Sequence, residues 1–143
     1  MVINEMRMTV DSRSVNESFS RTAVAVFAAQ LDPTVEEIND IKTAVSEAVT
    51  NCIVHGYKNT LGKIYIAVKI HDNGKVIISI RDKGCGIQDI NKAREPLFTT
   101  LGGDRAGLGF SVMESFMDKL TVRSKVGVGT TVTLCKIIKG RTR

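Results

Sequence analysis

An α/β two-layer sandwich, with helices covering one face of a largely antiparallel sheet, is the fold class predicted for this 143-residue chain. Three observations predict it. Two early runs carry helix-start signals and apolar residues at three- and four-residue steps. Later runs are β-branched and change to a period of two. The runs are also grouped by type, which argues against the strict strand–helix alternation of a doubly wound parallel sheet.

The elements follow in order. Residues 4–10, NEMRMTV, alternate Met6, Met8 and Val10 with polar neighbours and predict a short strand. Ser14 and Glu17 make a capping-box pattern ahead of SFSRTAVAVFAAQL, a helix expected to stop at Asp32-Pro33. Val15, Phe19, Val26 and Phe27 are its expected apolar face. A second box, Thr34 with Glu37, opens a longer helix through SEAVTNCIVHG, closed by Gly56. KIYIAVKI (63–70) and KVIISIRD (75–82) read as a hairpin around the turn HDNG. After a glycine-rich middle, GFSVMESFMDKL (109–120) is expected to be helical through Val112, Phe116 and Leu120. LTVRSK and TTVTLCKII close the chain as strands flanking VGVG.

Composition narrows the class. Apolar residues make up 43% and charged residues 24%, as in an ordinary globular domain of one core. No apolar run approaches the roughly 18 residues of a membrane span. MVINEMRMTV is too interrupted by charge to read as a signal peptide, so a cytoplasmic location is expected. Cys52, Cys85 and Cys135 form no CxxC pair, and with His55 and His71 they make no zinc spacing. They are expected to be small, mostly buried thiols. The net charge of +5 favours acidic ligands and partners. The basic end, KIIKGRTR, has no interleaved aromatics for nucleic acid and is expected to be a solvated terminus.

Four features can carry chemistry. Glu47 and Asn51 are four residues apart, so they share a helix face beside the stripe Ile38, Ile41, Val45, Ala48 and Cys52. Polar groups there need local partners or a polar cavity. RDKGCGI (81–87) ends a strand in Asp82-x-Gly84-x-Gly86, which puts a carboxylate at a sheet rim and lets backbone approach a flat ligand. GGDRAGLGFSVM (102–113) can present backbone N–H groups to phosphates, although no GK[ST] follows. Arg105 adds a cation suited to phosphate oxygens. GVGTTV (127–132) reads as a hairpin turn.

Together, in this order, ExxxN (Glu47, Asn51), DxGxG (Asp82, Gly84, Gly86), GLG (107–109) and GT (129–130) resemble the ATP-binding domain shared by gyrase, heat-shock chaperones, histidine kinases and mismatch-repair proteins. More narrowly, SEAVTNCIVHGY and EPLFTTLGGDRAGLGFSVMESFMD resemble the anti-sigma factor serine kinases, in particular their sporulation branch. The resemblance runs from about Asn4 to about Lys136 and implies a Bergerat-type ATP-binding fold with ATP or ADP and Mg²⁺ as ligands. It implies that Glu47 is the general base and Asn51 the Mg²⁺ ligand. Asp82 would hold the adenine amine above Gly84 and Gly86. Residues 96–109 would form a lid, with Arg105 and the Gly107 and Gly109 backbone near the phosphates, and Thr99, Thr100, Leu108 and Thr130 would also bind the nucleotide. Arg21 would contact protein partners: a sigma factor of the sporulation sigma F type and a small anti-anti-sigma protein phosphorylated on serine. A homodimer is implied as well. The alternatives are a general-stress relative, a plain ATPase or a nucleotide-sensing binding module.

Overall fold

The structure is a computed structural model that describes residues 1–95 and 104–141, with residues 104–108 as backbone. Five strands form one antiparallel sheet: β1 (Val2–Asp11), β2 (Lys63–His71), β3 (Lys75–Asp82), β4 (Lys119–Lys125) and β5 (Gly129–Ile137). Their order is β1-β2-β3-β5-β4, so β1 and β4 are the edges. Helices α1 (Val15–Ala28), α2 (Val35–Asn51), the short α3 (Ile90–Ala93) and α4 (Asp104–Phe116) accompany the sheet among the described residues. The core lies between α1, α2, α4 and one face of the sheet.

Strand alternation explains where the core ends and the site begins. Ile64, Ile66, Val68 and Ile70 of β2 face inward, as do Val76, Ile78 and Ile80 of β3. Burying each such side chain is worth roughly 1.5–3 kcal/mol. The next inward positions are polar: Asp82 on β3 pairs with Thr130 on β5, which pairs with Ser124 on β4. The apolar row therefore runs out into a polar rim at one end of the sheet.

Helix α2 follows the expected pattern. Thr34 is extended and closes the full capping box with Glu37, and Ile41, Val45, Ala48 and Cys52 are buried, with Ile38 packed against them. Beyond Asn51 the chain widens into a π-helical turn, Cys52–Gly56, before it leaves the helix.

Several expectations are corrected. Ser14 forms no capping box, because its own backbone is already helical (φ −58°, ψ −31°) and its side chain caps nothing. Glu17 instead accepts the Ser46 hydroxyl of α2 at 2.8 Å and pairs with Arg21. The buried stripe of α1 is Ser20, Val24, Ala25 and Ala28, while Val15, Phe19 and Val26 face solvent. Small residues at four-residue steps let α1 approach α2 closely; Val15, Phe19 and Val26 are rotated outward, while Phe27 packs against the core as expected.

Helix α4, expected over residues 109–120, starts at Asp104 and stops at Phe116, so Leu120 is an inward residue of β4 opposite Leu134. The Asp118 N–H already donates to the Cys135 carbonyl at 2.9 Å, which begins the strand ladder. Of the cysteines, Cys52 is buried and the other two are half-buried.

The C-terminal segment is held through residue 141. Ile138 is buried, the N–H groups of Lys139 and Gly140 donate to Glu37 at 2.7 and 3.1 Å, and Arg141 pairs with Asp32. Burial pushes the Glu37 carboxyl up, but the N–H groups of Thr34, Lys139 and Gly140 outweigh it and hold the group below its ordinary value. That stabilisation is present above the unfolded-state value and is lost as pH falls through the lowered one. Glu37→Ala removes both the cap partner and the tail anchor. It is expected to cost about 1–2 kcal/mol in urea unfolding at neutral pH. An unchanged midpoint would show that the tail adds nothing.

Candidate functional site

A cavity of about 1060 Å³ opens at the polar rim, between α2 with its π-helical turn, the ends of β3 and β5, and the segment after β3. Asn51, Asp82, Gly86 and Thr130 line it together, as do Cys52 and Phe110. Its volume is at the large end of small-molecule sites.

Asp82 is only 4% exposed. Its Oδ1 accepts the Gly84 N–H at 2.9 Å, and the Thr130 N–H and the Cys52 thiol also donate to the carboxylate. Burial raises its pKa above the ordinary 3.8, and these three donors offset part of that rise. Burial, reinforced by the Asp82 charge, pushes the Cys52 thiol well up, so it stays protonated and can donate.

The glycines of DxGxG are required by contact. A Cβ on Gly84 would lie 2.1 Å from the Gly56 carbonyl oxygen, while Gly86 has φ +79° and would meet the Lys125 carbonyl at 2.3 Å. Gly56, in the π-helical turn, lies so close to Asp82 that a Cβ there would sit 2.7 Å from Oδ2. The widened turn thus brings backbone right up to the carboxylate, in keeping with the frequent placement of such turns at functional sites.

Asn51 lines the cavity, and Glu47, one turn earlier on α2 and outside the lining, lies beside it where α2 meets Gly109 of α4. A Cβ on Gly109 would lie 3.2 Å from both amide atoms of Asn51 and 3.4 Å from Glu47 Oε2. Both amide atoms of Asn51 are shut off from water and have no hydrogen-bond partner among the described residues. A buried amide in that state is costly unless a ligand completes it.

The remaining predicted residues separate. Arg105, Gly107 and Leu108 belong to the first turns of α4, so the helix starts earlier than the glycines suggest. Thr99 and Thr100 lie outside the described residues. Arg21 is on α1, away from the cavity lining, and is paired with Glu17. Among the described residues, no three His, Cys, Asp or Glu side chains gather to hold a metal.

Sequence reasoning missed Ser124, which lines the cavity beside Thr130. Its signal was parity: Leu120, Val122 and Ser124 share one strand face, so a hydroxyl falls where the pattern calls for an inward residue.

Comparison with known proteins matches residues 9–136 to the histidine kinase-like ATPase domain family. The chain is 60% identical over 136 residues to the anti-sigma F factor of Thermoanaerobacter sp. (strain X514), covering 94% of each chain. It is 59% identical over 141 residues to that of Caldanaerobacter subterraneus subsp. tengcongensis, covering 98% of this chain and 97% of the other. Among solved structures, the RsbU and RsbW domains of Rv1364c from Mycobacterium tuberculosis superpose with a TM-score of 0.69 at 22% identity, over 94% of this chain and 32% of that one. The mycobacterial sensor histidine kinase MprB superposes at 0.60 and 15% identity, over 94% of this chain and all of the other. These two likenesses speak for the fold. With the rim carboxylate, the glycine contacts and the paired Glu47 and Asn51 in place, the chain belongs to the histidine kinase-like ATPase domain family, among the anti-sigma F factors.

Proposed function

We propose that this protein binds a sigma factor of the sporulation sigma F type and holds it inactive. We further propose that it is an ATP-dependent protein serine kinase acting on a small anti-anti-sigma antagonist. The observation that carries this reading is the juxtaposition of Glu47 and Asn51 at one cavity edge with Asp82 at its base, in a chain 60% identical to anti-sigma F factors.

The residues present fit Mg·ATP. Asn51 has amide atoms without a partner among the described residues, and the buried Asp82 carboxylate and Thr130 line the same cavity. Asn51 would hold the metal and Asp82 the adenine amine, with Thr130 beside it. When bound, Mg²⁺ would neutralise phosphate charge, which phosphoryl transfer requires.

Glu47 is one helical turn from Asn51 on a rigid element, placed to take the proton of an incoming serine hydroxyl onto its carboxylate. Residues 96–109, Thr99, Thr100, Arg105, Gly107 and Leu108 included, complete the reading as a lid over the phosphates. A homodimer is proposed too, and the free edge of β1 offers backbone groups for pairing. No described helix is long and apolar enough to cross a membrane.

Arg21 tests the partner half of the proposal. Its pairing with Glu17 holds the guanidinium at the helix surface, 36% exposed. Arg21→Ala is expected to weaken capture of a sigma F-type factor about tenfold, or about 1.4 kcal/mol, in a pull-down with ADP present. ADP affinity should not change. Undiminished capture would remove Arg21 from the interface.

A further inference from the structure

The cavity contains a hydroxyl network whose proton positions can be worked out. Ser124 Oγ accepts the Ile87 N–H at 2.7 Å, lies 3.0 Å from the Gly129 carbonyl oxygen and 2.8 Å from Thr130 Oγ1. A serine hydroxyl has one proton. A carbonyl oxygen can only accept, so the Ser124 proton points to Gly129. The third contact must then be made by the Thr130 hydroxyl, donating its own proton to Ser124 Oγ. Thr130 Oγ1 is left with lone pairs alone. It lines the same cavity as Asp82, whose strand position is directly opposite.

We infer that Ser124 is a positioning residue that fixes the Thr130 hydroxyl as a hydrogen-bond acceptor. Together with Asp82, it makes the base pocket select a purine carrying an exocyclic amine over one carrying a carbonyl at that position. The inference rests on reading the cavity as the nucleotide site. It adds a specificity-determining pair to that site: one strand residue on β4 dictates the polarity of its neighbour on β5. Asp82 alone would already favour an amine, but a freely rotating hydroxyl next to it could donate to a carbonyl and dull the choice. With Ser124 in place that option is closed, because the one threonine proton is committed. Discrimination built on unpaired polar groups is strong, since the wrong base leaves buried acceptors facing an acceptor.

The test compares ADP with IDP, which differ at that position, by isothermal titration of the full chain. The wild type is expected to prefer ADP. Ser124→Ala frees the Thr130 proton and is expected to narrow the ADP/IDP ratio about tenfold. Thr130→Val should narrow it similarly, and the double variant no further than either alone, because both act through one hydroxyl. Ser124→Thr keeps the hydroxyl and should keep the ratio.

Equal losses for both nucleotides in Ser124→Ala would assign the residue to loop packing only and overturn the inference. So would additive effects in the double variant. Should Ser124→Ala fail to fold, Thr130→Val with Ser124→Thr decides: a ratio unchanged in the former overturns the inference. A wild type that binds ADP and IDP equally overturns the adenine reading of the cavity, and this inference with it.

Discussion

Asp82→Asn is expected to weaken ADP binding by about 2–3 kcal/mol, roughly 30- to 150-fold, with the fold retained. The carboxylate is buried, held by the Gly84 and Thr130 N–H groups and the Cys52 thiol, and lines the cavity. An amide of the same shape replaces one acceptor by a donor, and a donor cannot receive an amine.

Stability should move the other way. The folded state raises the Asp82 pKa through burial, so folding favours the protonated acid. Its contribution to stability is present below the unfolded-state value and is lost as pH rises through the raised one. At neutral pH the ionised group is therefore a burden on the fold, and the urea midpoint of Asp82→Asn should hold or rise. Nucleotide affinity is expected to have the opposite dependence, because in the proposed site the adenine amine needs the carboxylate. In the wild type, ADP affinity is expected to decline on acidification at a pH above the ordinary 3.8 of an aspartate. Titrations from neutral into acid pH check this, and an affinity flat down to that value would displace Asp82 from the base contact.

Glu47→Ala is expected to separate binding from chemistry. Serine phosphorylation should fall by about 10²- to 10⁴-fold, the usual contribution of a positioned base. ADP affinity should stay within about threefold, because Glu47 adjoins Asn51 at the cavity edge and does not line the base pocket. Glu47→Gln, which keeps the shape, should lose transfer to a similar degree. Single-turnover assays at saturating nucleotide decide it, and transfer at the wild-type rate would take Glu47 out of the mechanism.

Much of this arrangement was legible in the residues. The sheet was readable because Ile64 to Ile70 and Val76 to Ile80 keep strict parity, and that parity carries Asp82 inward to the rim. The face of α2 was equally plain, since five apolar residues follow one stripe and bring Glu47 and Asn51 with them.

What failed did so for physical reasons. Ser14-x-x-Glu17 has the letters of a capping box, yet the box depends on an extended backbone at its first residue, which Thr34 has and Ser14 lacks. On α1 the largest apolar side chains were taken for the buried ones, whereas close helix contact selects Ser20, Val24 and Ala28. Gly107 suggested a loop ahead of a helix beginning at Gly109, but the helix already runs from Asp104. The tail anchor links Glu37 to residues more than a hundred positions away, beyond any local pattern. Ser124 shows its role only when Ile87, Gly129 and Thr130 are brought around it.

One cavity is proposed to bind Mg·ATP and to pass its terminal phosphoryl group to a protein serine. The most direct measurement follows labelled γ-phosphate from Mg·ATP into a candidate anti-anti-sigma protein, with Glu47→Ala alongside. Labelled phosphoserine is expected with the wild type and next to none with the variant. Free labelled phosphate without labelled protein would contradict it and leave an ATPase in place of a kinase.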